Sequence, residues 1–211
     1  IRFRLWRLGV RIPSGSLFKP NILTTTFLEE TFEENFSEQN QSGFSYEYCT
    51  FNNCDFSKTN LSEATFESCD FVGCNFSNVK VIRAVFQEVS FTDCKILGVS
   101  FDQINTIGLS LTFVNATLNF SSFYKLDLRN SKFTKSTFLE TDFTEANLAD
   151  SVFDACDLGG TVFENTNLSK VNFYTSFNIK INPVANTLKG ATFASSETAG
   201  LLQIFGIKIK P

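Results

Sequence analysis

The first candidates for chemistry in this 211-residue chain are its six cysteines, and the chain contains no histidine. Without histidine it lacks the usual general base and the commonest nitrogen ligand of metals, which excludes Ser-His-Asp, Cys-His and zinc-hydrolase chemistry. The cysteines stand at positions 49, 54, 69, 74, 94 and 156, and none form a C-x2-C pair. We therefore expect no catalytic residue, no metal and no cofactor, and we interpret the thiols as small buried side chains in a reducing compartment.

The cysteine spacing belongs to a five-residue repeat. The first five cysteines differ in position only by multiples of five, and a large apolar residue follows each of them two positions later. This large residue recurs at every fifth position from Tyr46 to Phe101. After a two-residue slip around 104–112 it recurs from Phe113 to Phe173, so that all 25 positions are apolar. A repeat of this regularity decides the fold.

A period of five fits neither the 3.6-residue period of an α-helix nor the two-residue period of a strand. Four such repeats per coil would turn the chain through four corners and place each residue under the one 20 positions later, with coils ~4.8 Å apart. The large residues and the small residues before them would then fill the interior. We predict columns such as Phe56 on Phe76 and Phe133 on Phe153, and an interior ladder of Cys54, Cys74 and Cys94.

Several repeats carry a family resemblance. Thr59-Asn60-Leu61-Ser62-Glu63 and Ala146-Asn147-Leu148-Ala149-Asp150 are similar to the A-(D/N)-L-x-x signature of pentapeptide-repeat proteins, and the resemblance covers about residues 44–193. It implies an all-β fold, a right-handed quadrilateral parallel β-helix. Asn and Asp before the central residue suit the corners, because their side chains can bond neighbouring backbone groups.

The chain divides into three predicted segments. Residues 1–23 hold five basic residues and no acid and form an N-terminal extension of uncertain origin, either a translated upstream sequence, which the abrupt change of composition at Thr24 favours, or a capping segment. Residues 24–193 form the β-helix. In residues 194–211, Ser195 and Thr198 precede a predicted short helix ending at Gly206, and a short strand follows. Without an export signal or an apolar stretch of ~20 residues, we expect a cytoplasmic protein with no membrane association.

The C-terminal segment sharpens the resemblance. Leu201-Leu202 followed by Gly206-Ile207 resembles the C-terminus of the Qnr quinolone-resistance proteins, as does the Cys49–Ser57 run. That resemblance implies a homodimer joined through the C-terminal segment and binding to type II DNA topoisomerases, DNA gyrase first and topoisomerase IV second. The apolar surplus of the segment agrees with association, and the alternative is a terminal cap that prevents end-to-end stacking of the coils. The residues predicted to form the dimer interface are Leu201, Leu202, Phe205, Ile207 and Ile209. Unlike Qnr proteins with two surface loops, this chain continues straight through Phe71–Cys74.

Acidic residues are unevenly distributed. Residues 24–76 hold ten acids and one base, residues 77–135 hold four acids and seven bases, and residues 136–169 hold seven acids and no base. Glu63, Asp102, Asp142, Glu145 and Glu164 are predicted to share one face, interrupted by Arg83 and Lys125. The acidic surface predicted to contact a topoisomerase consists of Glu63, Asp102, Glu140, Asp142, Glu145, Asp150, Asp154, Asp157 and Glu164.

Three functions remain open from the sequence. The first is DNA mimicry: an acidic rod of duplex width would occupy a topoisomerase's DNA-binding saddle, protecting the enzyme from quinolones or modulating it. The second is immunity against a topoisomerase-directed toxin, and the third is a scaffold for an unrelated protein. A pI near 5.0 argues against direct nucleic-acid binding. The net charge of −4 is far sparser than that of DNA, so mimicry would depend on local strips.

Overall fold

A computed structural model describes residues 25–207 of the chain, which form short strands and a small C-terminal helical segment. The strands of this part of the chain are β1 (Thr26–Leu28), β2 (Thr31–Phe32), β3 (Ser45–Glu47), β4 (Thr50–Asn52), β5 (Thr65–Glu67), β6 (Asp70–Val72), β7 (Val85–Gln87), β8 (Val89–Thr92), β9 (Leu111–Val114), β10 (Lys132–Thr134) and β11 (Val152–Asp154). Helix α1 spans Thr198–Leu202, and 3-10 turns cover Phe101–Gln103, Ser195–Glu197 and Gln203–Phe205. No helix in residues 25–207 has the length and apolarity needed to cross a bilayer.

The strands form a four-sided, right-handed parallel β-helix. Face 1 is the sheet β1-β3-β5-β7, and face 2 is the sheet β2-β4-β6-β8-β9-β10-β11, with every pair parallel. Faces 3 and 4 are held by single parallel bridges between successive coils, such as Asn35 with Asp55 on face 3 and Asn40 with Asn60 on face 4. The predicted fold class is thereby confirmed.

The register between coils is 20 residues and changes at two places. Tyr46 pairs with Phe66 and Phe66 with Phe86, whereas Phe27 pairs with Tyr46, so the first coil is one residue shorter. Phe91 pairs with Phe113, which confirms the two-residue slip. On face 1 the bridges stop at Asn105 and resume at Asp127, so in the described part of the chain the ladder of this face is interrupted beside the slip.

The interior consists of stacked aromatic rings. The rings of Phe51 and Phe71 stack at 4.6 Å, those of Phe56 and Phe76 at 4.8 Å, and those of Phe133 and Phe153 at 4.6 Å. Neighbouring columns meet edge to face, as Phe51 meets Phe56 at 5.4 Å. Both arrangements are favourable for aromatic quadrupoles. The predicted columns are therefore present.

Where the small residue two positions before a central residue is Cys or Thr, its side chain donates a hydrogen bond to a carbonyl of the coil below. Thr141 Oγ1 donates to the Leu118 carbonyl at 2.9 Å, and Cys74 Sγ makes the equivalent contact with the Phe51 carbonyl at 3.2 Å. The Cys54, Cys74 and Cys94 thiols are buried and unbridged, as predicted. Burial raises the pKa of the Cys54 thiol to about 11, so this thiol is protonated at neutral pH.

Many corners combine a side-chain turn with a left-handed residue. The Asp or Asn before the central residue accepts a backbone N–H two residues later, as Asp55 Oδ1 does from Ser57 at 2.9 Å. This bond is the main reason why the pKa of Asp55 lies below its ordinary value. The second residue after the centre has a positive φ, and it is often charged, as at Lys58 (56°) and Glu63 (61°). These corner residues point into solvent and carry much of the surface charge.

Candidate protein-binding surfaces

Four acidic residues meet on face 4 near the C-terminal end of the β-helix. Glu140 and Glu145 occupy the two corners that bound this face in one coil, and Asp142 lies between them. Glu164 lies in the next coil, where its carbonyl accepts the Glu145 N–H at 2.8 Å. We call these four residues the C-terminal acidic patch.

The members of the patch differ in how far their charge is compensated. The Glu145 carboxylate pairs with Lys125 Nζ at 3.3 Å and accepts the Tyr124 hydroxyl at 3.2 Å. The tyrosine hydroxyl and this carboxylate raise the pKa of Lys125. Asp142 Oδ1 accepts the Thr144 N–H at 2.8 Å and thus also serves the corner.

Glu140 and Glu164 are fully available to a partner. Both side chains are exposed, and neither carboxylate has an ion-pair or hydrogen-bond partner among residues 25–207. Exposed pairs such as Glu145 with Lys125 contribute little to stability and are screened by salt. The patch therefore keeps most of its negative charge at the surface, and Glu140 and Glu164 have no structural role within the described residues.

Two of the predicted acidic residues lie further along face 4. Glu63 forms an ion pair with Arg83 across one coil, so its charge is compensated. Asp102 lies in the 3-10 turn, half-buried, and one of its carboxylate oxygens is buried without a hydrogen-bond partner in this part of the chain. Face 4 thus carries all five acids predicted for it, with Arg83 paired to Glu63 and Lys125 paired to Glu145.

The other three predicted acidic residues face elsewhere. Asp150 is at the corner between faces 1 and 2 and pairs with Lys170 at 3.4 Å. Asp154 lies in β11 on face 2 and accepts the Thr175 hydroxyl at 2.8 Å. Asp157 lies on face 3 and accepts the Gly159 N–H at 3.0 Å and the Asn178 amide at 2.7 Å. A single flat partner cannot contact these three residues together with the C-terminal acidic patch.

The C-terminal segment closes the end of the β-helix and leaves apolar side chains outside. Gly200 lies directly against the Ile179 carbonyl, where any side chain would collide with the backbone, and Glu197 accepts the Ile179 N–H at 3.0 Å. Leu201 packs against the interior and Leu202 is half-buried. The exposed apolar side chains are Ile204 (50%), Phe205 (55%) and Ile207 (53%).

The helical segment ends as the sequence indicated, with Gly206 in the left-handed conformation. Of the five residues predicted for the dimer interface, Leu201 serves the cap, and Phe205 and Ile207 are accessible. Ile209 and most of the predicted strand lie outside the described residues. The N-terminal extension, residues 1–23, also lies outside them.

Sequence reasoning did not identify a cleft of about 350 Å³ where the face 1 ladder is interrupted. It lies between Leu109–Thr112 and Asp127–Lys132. Arg129 binds the Asp127 carboxylate through two nitrogens, at 2.8 Å and 2.6 Å, and lowers its pKa. In the sequence, the two-residue slip around 104–112 was the feature that could have indicated this cleft. No group of three or more His, Cys, Asp or Glu residues in the described chain could hold a metal ion.

Comparisons with known proteins support the architecture. A family model described as "Pentapeptide repeat region" matches residues 45–123 and 126–201. A sequence search of curated proteins gave no match.

Solved structures with similar folds include two of QnrB1, described as a plasmid-mediated fluoroquinolone resistance protein. A trypsin-treated variant form has a TM-score of 0.50 at 17% identity, covering 90% of this chain and 100% of the QnrB1 chain. The full-length form has a TM-score of 0.50 at 19% identity, covering 87% and 98%. HetL, a pentapeptide repeat protein of Nostoc sp. strain PCC 7120 involved in heterocyst differentiation regulation, has a TM-score of 0.50 at 16% identity, covering 81% and 86%. At these identities the similarity concerns the fold alone.

Proposed function

Because the chain belongs to the pentapeptide-repeat family, we propose that it is a binding protein whose C-terminal acidic patch occupies the DNA-binding surface of DNA gyrase in the cytoplasm. The partner's basic groups would meet Glu140, Asp142, Glu145 and Glu164 in place of phosphates. Topoisomerase IV, which has to hold the same duplex, is the second candidate partner. The outcome would be protection from fluoroquinolones or modulation of activity.

The observation that carries this proposal is the charge density of the patch. Two coils rise about 10 Å, a length over which duplex DNA carries about six phosphates. The patch offers four carboxylates over this length, with Lys125 the one basic side chain paired to them among the described residues. The low net charge of −4 therefore does not prevent local mimicry.

The shape of the protein supports the same function. A filled solenoid is a narrow rod whose rows of side chains are fixed at the coil spacing, so no ordering of the backbone is needed when it binds. Joining two copies through the exposed apolar side chains at Ile204, Phe205 and Ile207 would place the two acidic patches on either side of the junction. The resulting surface would extend along the partner as duplex DNA does.

The test reverses charge at exposed positions only. Glu140, Glu145 and Glu164 are changed to Lys together; Glu140 and Glu145 occupy left-handed corners of the kind that Lys58, Lys125 and Lys170 already occupy, so the fold should persist. The matched control changes Glu67 on face 1, and Glu29 and Glu88 at exposed corners between faces 1 and 2, to Lys, with the same change in net charge. We expect the first variant to lose inhibition of gyrase supercoiling or protection from a fluoroquinolone, while the control retains it. Equal activity of the first variant and the parent would refute the proposal.

A further inference from the structure

The corner between faces 3 and 4 carries an aromatic residue in a conformation that aromatic residues disfavour. Phe120 has a φ of 61°, in the left-handed region where Gly and Asn are favoured and a bulky side chain is an outlier. Within the described chain Tyr48, with a φ of 55°, is the other aromatic residue at such a corner. The coil imposes a positive φ at this corner, but a bulky aromatic residue there gains nothing for the fold, which suggests selection for another purpose.

The Phe120 ring does not serve the core. Its side chain is 54% exposed, and within the described residues it makes no ring–ring contact, although the interior rings form continuous stacks. Hydrogen bonds locate its neighbours. The Gly98 N–H donates to the Asn119 carbonyl at 3.0 Å, and the Phe120 N–H donates to the Leu139 carbonyl at 2.9 Å.

Three successive coils thus bring apolar side chains to this one corner. Leu97 is half-buried and Leu139 is 44% exposed, and each lies in the coil next to Phe120. The neighbours of Phe120 in its corner row are Gly98, which adds no bulk beside the ring, and Glu140. In earlier coils the position equivalent to Leu139 is Ser37, Ser57 or Ser77, so the apolar character is confined to the middle of the rod.

The apolar corner adjoins the C-terminal acidic patch. Glu140 follows Leu139 directly and occupies the same corner row as Phe120, and Asp142 lies around the corner on face 4. A partner that fits both would present an apolar pocket with Lys or Arg beside it. Buried aromatic side chains within a charged rim commonly dominate the free energy of protein–protein binding.

We propose that Phe120, supported by Leu97 and Leu139, is the apolar anchor by which this rod docks into a pocket on the gyrase surface beside the basic groups that meet the acidic patch. This inference rests on the proposed function and adds a contact that duplex DNA cannot make. It explains how a protein of low net charge could compete with DNA. The acidic patch would steer the protein to gyrase and orient it, and the Phe120 contact would keep the complex together.

The test uses Phe120→Asn in the full chain, because Asn occupies this corner conformation at Asn53, Asn78, Asn115, Asn130 and Asn165. The matched control is Tyr48→Asn, which removes an aromatic side chain of similar exposure (57%) from a distant corner. A second variant, Leu139→Ser, restores the residue type of the earlier coils. Affinity for reconstituted gyrase and thermal unfolding are measured for each, at low and at high salt.

We expect Phe120→Asn and Leu139→Ser to bind about tenfold or more weakly than the parent without lowering the unfolding temperature, and Tyr48→Asn to bind as the parent does. The loss should persist at high salt, because apolar contacts are not screened, whereas the effect of the acidic variant should shrink. If Phe120→Asn and Leu139→Ser bind gyrase as tightly as the parent does, the proposed anchor role of Phe120 is refuted and the proposed function stands. If the parent does not bind gyrase at all, the proposed function fails and the anchor fails with it.

Discussion

At the scale of single residues, cysteine, serine and threonine perform the same task in this solenoid. All six cysteines and most of the serines and threonines two positions before a central residue donate to a carbonyl of the coil below, as Cys156 Sγ does to Phe133 at 3.4 Å and Thr161 Oγ1 does to Phe138 at 2.8 Å. A small side chain with one hydrogen-bond donor fills the available space and also provides the buried carbonyl with a hydrogen bond. We therefore interpret the cysteines as small interior side chains that serine or threonine could replace, and not as redox-active residues.

This interpretation predicts that the native thiols are inert. Burial raises the pKa to about 12 at Cys69 and to about 11 at Cys156, so almost no thiolate exists there at neutral pH. We expect no thiol in the described chain to react with Ellman's reagent until denaturant is added, and all six to react afterwards. An Ala155→Cys variant at an exposed corner serves as the control and should react at once. Rapid labelling of the parent without denaturant would contradict the buried ladders.

At the scale of coils, the stacked rings determine stability. Phe138 is fully buried and contacts Phe133 at 5.4 Å and Phe153 at 5.6 Å. Phe138→Ala should lower the free energy of unfolding by ~3–5 kcal/mol, because the surrounding coils cannot collapse into the cavity. Phe56, Phe76 and Phe153 should behave alike.

Phe138→Leu is the matched comparison, because Leu118 and Leu158 fill the same column in the adjacent coils. It should cost less than about 1.5 kcal/mol, since the volume is largely kept. Urea unfolding measured by circular dichroism gives both values. Equal stability of the alanine variant and the parent would be incompatible with a filled interior.

The five-residue period predicted the columns, the 20-residue register and the slip, because each depends on side-chain size at fixed spacing. The 19-residue first coil escaped prediction, since Phe27, Phe32 and Phe36 are not spaced by a constant five residues. The left-handed corners escaped as well. Residues such as Glu140 (52°) have no intrinsic preference for a positive φ, and the coil on both sides imposes it.

The same limit applies to the acidic surface. The period assigned Glu145 and Glu164 to one face correctly, because the face follows from the position within the repeat. It could not predict that Lys125 and Arg83 would pair with acids one coil away, because side-chain reach depends on the built corner. Nor could it predict that Leu201 would turn inward while Phe205 stays outside, since composition alone does not orient a short helix.

At the scale of the whole molecule, we expect self-association through the C-terminal end. Phe205 and Ile207 are more than half exposed, and burying them against a second copy is favourable at about 25 cal/mol per Å² of apolar surface. The parent should sediment at tens of micromolar with twice the 23.7 kDa chain mass. Phe205→Asp with Ile207→Asp should give a folded monomer, because neither side chain closes the coil.

Leu201→Asp is the contrasting variant. It places a charge against the apolar interior and should loosen the cap itself, which lowers the unfolding temperature. A parent protein that sediments as a monomer at these concentrations would refute the dimer.

The claim that the protein takes the place of duplex DNA is tested most directly by measuring the affinity of the parent for gyrase with and without duplex DNA. We predict binding at low ionic strength that weakens as duplex is added and as salt rises above physiological strength, because the patch acts through a screened field. Gyrase that binds the protein and the duplex at the same time, with neither affinity changed, would contradict the account, and so would the absence of any binding.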